Sequence, residues 1–159
     1  MKKIDRDGLL LCDLQAKAFE LSVTMQEIGS AVFIRRFMYS SVAGEMDDGS
    51  VLQTSIQPKE MLQLVEKEYG RSDYGSVKFT ENEMFWIGYI YRYFAYTYER
   101  SSIQVYKAVK PKELRDLFLP YHTMDPAQAI DRILEAKGLS YDKQTEEMQY
   151  AVYRRIRGM

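Results

Sequence analysis

At 159 residues, 46% apolar and 28% charged, the chain has the length and balance of one globular domain with a sizeable core. A net charge of −1 provides no global basic excess to hold phosphate backbones, which argues against nonspecific nucleic-acid binding. A single cysteine, Cys12, excludes an internal disulfide framework and suits a reducing compartment. Thirteen tyrosines and nine methionines are the unusual figures; both residue types serve cores and protein interfaces.

Residues 1–8 are charged and end in Gly8, which reads as a loose lead-in. The apolar piece at residues 9–12 is too short for a signal peptide, so the cytoplasm is the expected location. Residues 13–26 are helix-like, with Leu14, Ala18, Leu21 and Met25 on one face. Gly29-Ser30 breaks that helix, and Ser30 caps a second over residues 31–42. Phe33, Phe37 and Val42, broadened by Ile34 and Met38, make its apolar face; Arg35 and Arg36 read as a solvated face. Residues 43–57 are the least structured by pattern, punctuated by Asp47-Asp48-Gly49-Ser50, a turn signature. Within them, residues 51–56 are the one weak strand candidate. Gln57-Pro58 opens a third helix, closed by Gly70, with Met61, Leu62, Leu64, Val65 and Tyr69 on its core face. Residues 71–79 form a loop.

The most informative stretch follows. Residues 84–98 read MFWIGYIYRYFAYTY, and only Gly88, Arg92 and Thr97 are neither apolar nor aromatic. The run is too long for an ordinary strand and too short and aromatic for a membrane span. Thr80 with Glu83 fits a capping box, so a central helix buried on all sides is predicted. Arg92 sits amid five tyrosines. A buried guanidinium must be paired, so an Asp or Glu from another segment is expected against it.

Beyond this helix, Ser101 with Gln104 makes a second capping box before a short helix through Ile103, Tyr106 and Val109. Pro111 opens the next helix, residues 112–119, closed before Pro120. Residues 121–123, Tyr-His-Thr, read as a hinge. Asp125-Pro126 starts a helix to Gly138 that buries Ala129, Ile130, Ile133 and Leu134. A more polar last helix is expected over residues 142–157, with Arg154, Arg155 and Arg157 at its C-terminal end. The predicted fold is all-α: one domain of six to eight helices packed around a central buried aromatic helix.

Chemistry-bearing motifs are sparse. Nucleophilic catalysis would have to use the one histidine, His122, whose neighbours Tyr121 and Thr123 supply no partner group. Cys12 lies in an apolar run, as an inert buried thiol does. One His and one Cys do not make a normal zinc site, although 23 acidic residues leave a carboxylate site for Mg²⁺ open. His122 itself is expected to make a local hydrogen bond that fixes its turn. No enzyme signature and no cofactor are read from the chain.

Two stretches carry a resemblance. They are FIRRFMYSSVAGEMD, residues 33–47, and residues 84–133, with FWIGYIYRY, SSIQVYK and PYHTMDPAQAI as core elements. Together they resemble small bacterial proteins encoded beside ADP-ribosyltransferase-like toxins and read as their antitoxin or immunity partners. The resemblance covers about half the chain; where the family shows RYW, this chain has RYF at residues 92–94. It implies a cytoplasmic bacterial antitoxin of a toxin-antitoxin system that neutralises a cognate protein toxin by direct protein–protein binding. The contact surface is expected to use Arg92, Tyr93, Tyr96, Arg100, Tyr121 and His122. Two other readings stand beside it: an enzyme reversing a toxin's modification, and a nucleic-acid-binding regulator built on Arg35, Arg36 and the C-terminal arginines. Self-association is a further expectation; a membrane partner is not.

Overall fold

A computed structural model of the chain describes residues 1–139. The predicted C-terminal helix over residues 142–157 lies outside the described residues. Among them the fold is all-helical: α1 (Arg6–Met25), α2 (Ser30–Met38), α3 (Ser41–Asp47), a 3₁₀ turn (Ser50–Gln53), α4 (Pro58–Tyr69), α5 (Glu81–Tyr98), α6 (Ser102–Ala108), α7 (Pro111–Tyr121) and α8 (Pro126–Ala136). None of these helices is long and apolar enough to cross a membrane.

The central helix is α5. Thr80 and Glu83 cap it reciprocally: the Glu83 N–H donates to the Thr80 hydroxyl (3.0 Å), and the Thr80 N–H donates to the Glu83 carboxylate (2.8 Å). Met84, Ile87, Ile90, Tyr91 and Phe94 are buried. Its main partner is α1, and α6, α7 and α8 pack on its other sides. The α1–α5 pair runs antiparallel, since Gly8 of α1 lies under Tyr96 and Phe19 lies over Gly88. Each helix thus offers a glycine to a ring of the other. A Cβ on Gly8 would sit 2.5 Å from the Tyr96 ring, and one on Gly88 would sit 2.8 Å from the Phe19 ring. Phe19 continues the core by meeting Phe33 and Phe37 of α2 edge-on, at 5.5 and 5.0 Å between centroids.

Several sequence-derived boundaries shift, each for a local reason. The lead-in is already helix from residue 6, because the Asp5 carboxylate accepts the Gly8 N–H (2.9 Å) and caps α1. The buried face of α1 is Leu11, Gln15, Phe19 and Ser22, so Leu14 and Leu21 are only half-buried and Met25 is exposed. The helix predicted over residues 31–42 is two, α2 and the start of α3. Ser40 breaks it by capping α3, its hydroxyl accepting the Ala43 N–H (3.2 Å). Gly29, not Ser30, holds the cap position of α2; the Ser30 hydroxyl accepts instead from the Phe79 N–H (2.9 Å). The weak strand candidate is the 3₁₀ turn, with Val51 buried. On α4, Met61, Leu62 and Val65 face the core as predicted, whereas Leu64 and Tyr69 are exposed. Pro120 does not stop α7, which runs on to Tyr121. The proline occupies the last turn, and the carbonyl deprived of a donor belongs to Asp116, an exposed residue that water can reach.

The end of α5 is held in a costly conformation. Glu99 adopts the left-handed region (φ 54°), and the Arg100 N–H donates back to the Ala95 carbonyl (2.9 Å) in a Schellman-type closure. Glycine is the usual residue there. The Glu99→Gly variant is expected to gain about 1 kcal/mol, since the ion pair it loses, to Lys2 at 3.9 Å, is solvent-exposed. A melting temperature lower than that of the parent would contradict this.

Candidate functional site

The six residues expected at a contact surface fall into three different environments. Arg92 is in the core. Its side chain is 1% exposed, and each of its three guanidinium nitrogens finds a partner on a different helix. The Nε donates to Gln15 Oε1 of α1 (2.9 Å), one terminal nitrogen to Asp47 Oδ1 of α3 (2.6 Å), and the other to the Ser102 hydroxyl of α6 (2.6 Å). Asp47 supplies the acid predicted from sequence. Its carboxylate also accepts the Ser102 N–H (3.0 Å) and hydroxyl (2.7 Å), placing negative charge at the start of α6. Gln15 completes the network by donating to the Gly88 carbonyl (2.9 Å). Burial pushes the Arg92 guanidinium below its ordinary range, and the Asp47 charge opposes that shift. Arg92 is therefore an anchor joining α1, α3, α5 and α6; a partner docked on this fold does not reach it.

Tyr96 and Arg100 border a second region, an open cleft of about 570 Å³ that Lys2, Asp7, Asp47, Asp48 and Glu99 also line. Tyr96 is engaged within the protein. Its hydroxyl donates to Asp5 (2.5 Å), Lys2 lies 4.0 Å from its ring centroid, and Gly8 packs beneath it. The Asp5 hydrogen bond raises the phenol to about 12 and holds the Asp5 carboxyl below its usual range. Tyr96 pins the chain ahead of α1 while it lines the open cleft. Asp48 accepts the Ser50 N–H (2.9 Å) in the turn, and no cluster of acidic, His or Cys ligands stands among the described residues.

Tyr93, Tyr121 and His122 belong to the third region, on the α7–α8 side. Here Phe85, Tyr89 and Tyr93 recur every four residues along α5 and stack successively, at 6.4 and 6.3 Å. Opposite them, Trp86 meets Phe118 of α7 edge-on (6.0 Å), and Phe118 stacks face to face on His122 (4.4 Å). Between these sets lies an open groove of about 660 Å³, floored by aromatic rings and closed by Met124 and Pro126. Glu20 of α1 and Asn82 of α5 stand at its edge. Tyr93 itself is 7% exposed, so it supports the floor more than it offers a face. Tyr121 is half-buried against the core, one position before His122.

His122 makes the local bond expected of it. Its Nδ1 lies 2.8 Å from the Phe118 carbonyl and 3.1 Å from that of Leu119. A carbonyl only accepts, so Nδ1 carries a proton and the ring is fixed over the end of α7. Arg92 and His122 do not converge: the first is tied to Gln15, Asp47 and Ser102, the second to Phe118 and Leu119. Cys12 is fully buried, and burial pushes its thiol up to about 12, as an inert core cysteine requires.

Arg36, part of the nucleic-acid reading, is engaged as well: it donates to the Gly70 carbonyl (2.7 Å) and lies over Tyr69 (5.6 Å). Arg35 is exposed. The arginines at 154, 155 and 157 lie outside the described residues. Sequence reasoning missed Phe85, Trp86, Tyr89 and Phe118 as surface-lining residues. The available signal was the four-residue recurrence of 85, 89 and 93 and of 118 and 122, which puts rings on single helix faces. Compared with family models, with curated proteins and with solved structures, the chain matches none.

Proposed function

We propose that this protein is an antitoxin or immunity protein that binds and neutralises a toxin encoded beside it, acting by contact in the bacterial cytoplasm. One observation carries the reading: the open aromatic groove between α5, α7 and α8. Trp, Tyr and Phe are the anchors that dominate binding energy at protein interfaces, above all where they line a pocket that a partner side chain can fill. The family resemblance lends separate support, because both walls of the groove, residues 84–93 and 118–126, fall within the stretch that carries it.

The test is co-expression with the protein encoded beside this chain, which the resemblance implies is ADP-ribosyltransferase-like. The two should co-elute, and growth should be protected. Phe85→Ala with His122→Ala should weaken the complex about thirtyfold or more, as loss of a central anchor does. Unchanged affinity with an unchanged melting temperature would refute the groove as the contact. Failure to co-elute or protect would refute the antitoxin reading itself.

A further inference from the structure

The groove is not only aromatic; its rim is acidic. Glu20 lies on its edge, and Asp125, the cap residue of α8, sits between Met124 and Pro126, which line it. Asp13 of α1 is matched by Lys17 at 2.8 Å. Lys17 stands one helical turn before Glu20 on α1. The four groups therefore leave a net charge of −2 beside a floor of ring faces. Asp125 uses one oxygen to accept the Ala127 N–H (2.9 Å), which fixes the carboxylate in place without neutralising it.

Aromatic faces and carboxylates together select for a cation with an apolar stem. Ring quadrupoles attract a cation within about 6 Å, and a planar guanidinium can stack on a ring while forking to a carboxylate. A purely aliphatic segment would leave both carboxylates partly desolvated and unmatched. We infer that the groove takes an arginine-bearing apolar segment of a partner protein, with the guanidinium between the Phe85–Tyr89 faces and the Glu20 and Asp125 carboxylates. The inference rests on the contact reading above and adds the chemistry of the occupant. About 660 Å³ is room for two or three side chains, hence for one face of a helix or a short extended segment rather than a lone cation.

The chain's single tryptophan, Trp86, lines this groove and serves as the reporter. The probe is a synthetic amphipathic peptide with leucine at helical spacing and two flanking arginines, compared with the same peptide carrying citrulline, the neutral isostere. The arginine peptide should produce a saturable change in Trp86 fluorescence at least tenfold tighter than citrulline. That preference should vanish in the Glu20→Gln/Asp125→Asn double variant, in which asparagine can still cap α8. Equal affinity for the two peptides, an arginine preference that survives the double variant, or no saturable change would overturn the inference. The two levels separate cleanly with the co-encoded toxin. If Phe85→Ala/His122→Ala releases it but Glu20→Gln/Asp125→Asn does not, the guanidinium assignment fails and the contact reading stands. If the toxin never binds while the arginine preference holds, the antitoxin reading fails alone.

Discussion

Replacing Asp47 with alanine is expected to remove about 3–5 kcal/mol of folding stability, a large share of the roughly 5–15 kcal/mol that holds a domain together. Two losses combine. The guanidinium of Arg92 stays in the core without a counter-charge, which is the expensive half of breaking a buried pair. The Ser102 N–H and hydroxyl lose their acceptor at the same stroke, and with them goes the charge at the start of α6. Asp47→Asn should lose less, because one carbonyl oxygen remains to accept. The double variant Asp47→Ala/Arg92→Met should recover much of the deficit, since an apolar side chain of similar length removes the stranded charge. Urea unfolding of the three variants measures the series. A loss below about 1 kcal/mol for Asp47→Ala would show that water enters at the Asp47 side, whose side chain is 25% exposed, and solvates the pair.

That network marks where sequence reasoning stops. A run as apolar as residues 84–98 could only be a buried helix, and a buried Arg92 could only be paired; both follow from local composition. Which carboxylate pairs with it does not. Asp47 is 45 residues distant and sits in a dipeptide that reads as a turn, and only the folded chain brings it to the core. The face of α1 was misplaced for a related reason. Two of its core positions, Gln15 and Ser22, are polar, so a search for apolar recurrence rotated the helix toward Leu14 and Met25. Gln15 is buried because Arg92 and Gly88 occupy its hydrogen-bonding groups, information held by α5 and not by α1. Capping signals transferred well, because Thr80, Ser101 and Asp125 act within three residues of themselves. The candidate surface transferred poorly: whether Tyr96 faces solvent or Asp5, and whether Tyr89 lines a groove, depends on neighbours far along the chain.

The second large effect lies where α1 crosses α5. Phe19→Ala should cost about 3–5 kcal/mol, because the ring is fully buried and touches Phe33, Phe37 and Gly88, leaving a cavity that three helices would have to collapse to fill. Gly88→Ala should also destabilise, by about 1–3 kcal/mol, even though alanine is the better helix former. Its Cβ would meet the Phe19 ring at 2.8 Å and the Gln15 carbonyl at 3.0 Å, and the latter is backbone that can move only with α1. The informative experiment is the double variant. Removing the ring makes room for the methyl group, so Phe19→Ala/Gly88→Ala should be less damaging than the two losses added together, by about 1–2 kcal/mol. Simple additivity in chemical denaturation would mean that the Gln15 backbone, and not the ring, sets the helix separation. The notch at Gly88 would then belong to the same rigid unit as the Gln15–Arg92 network one turn further along α5.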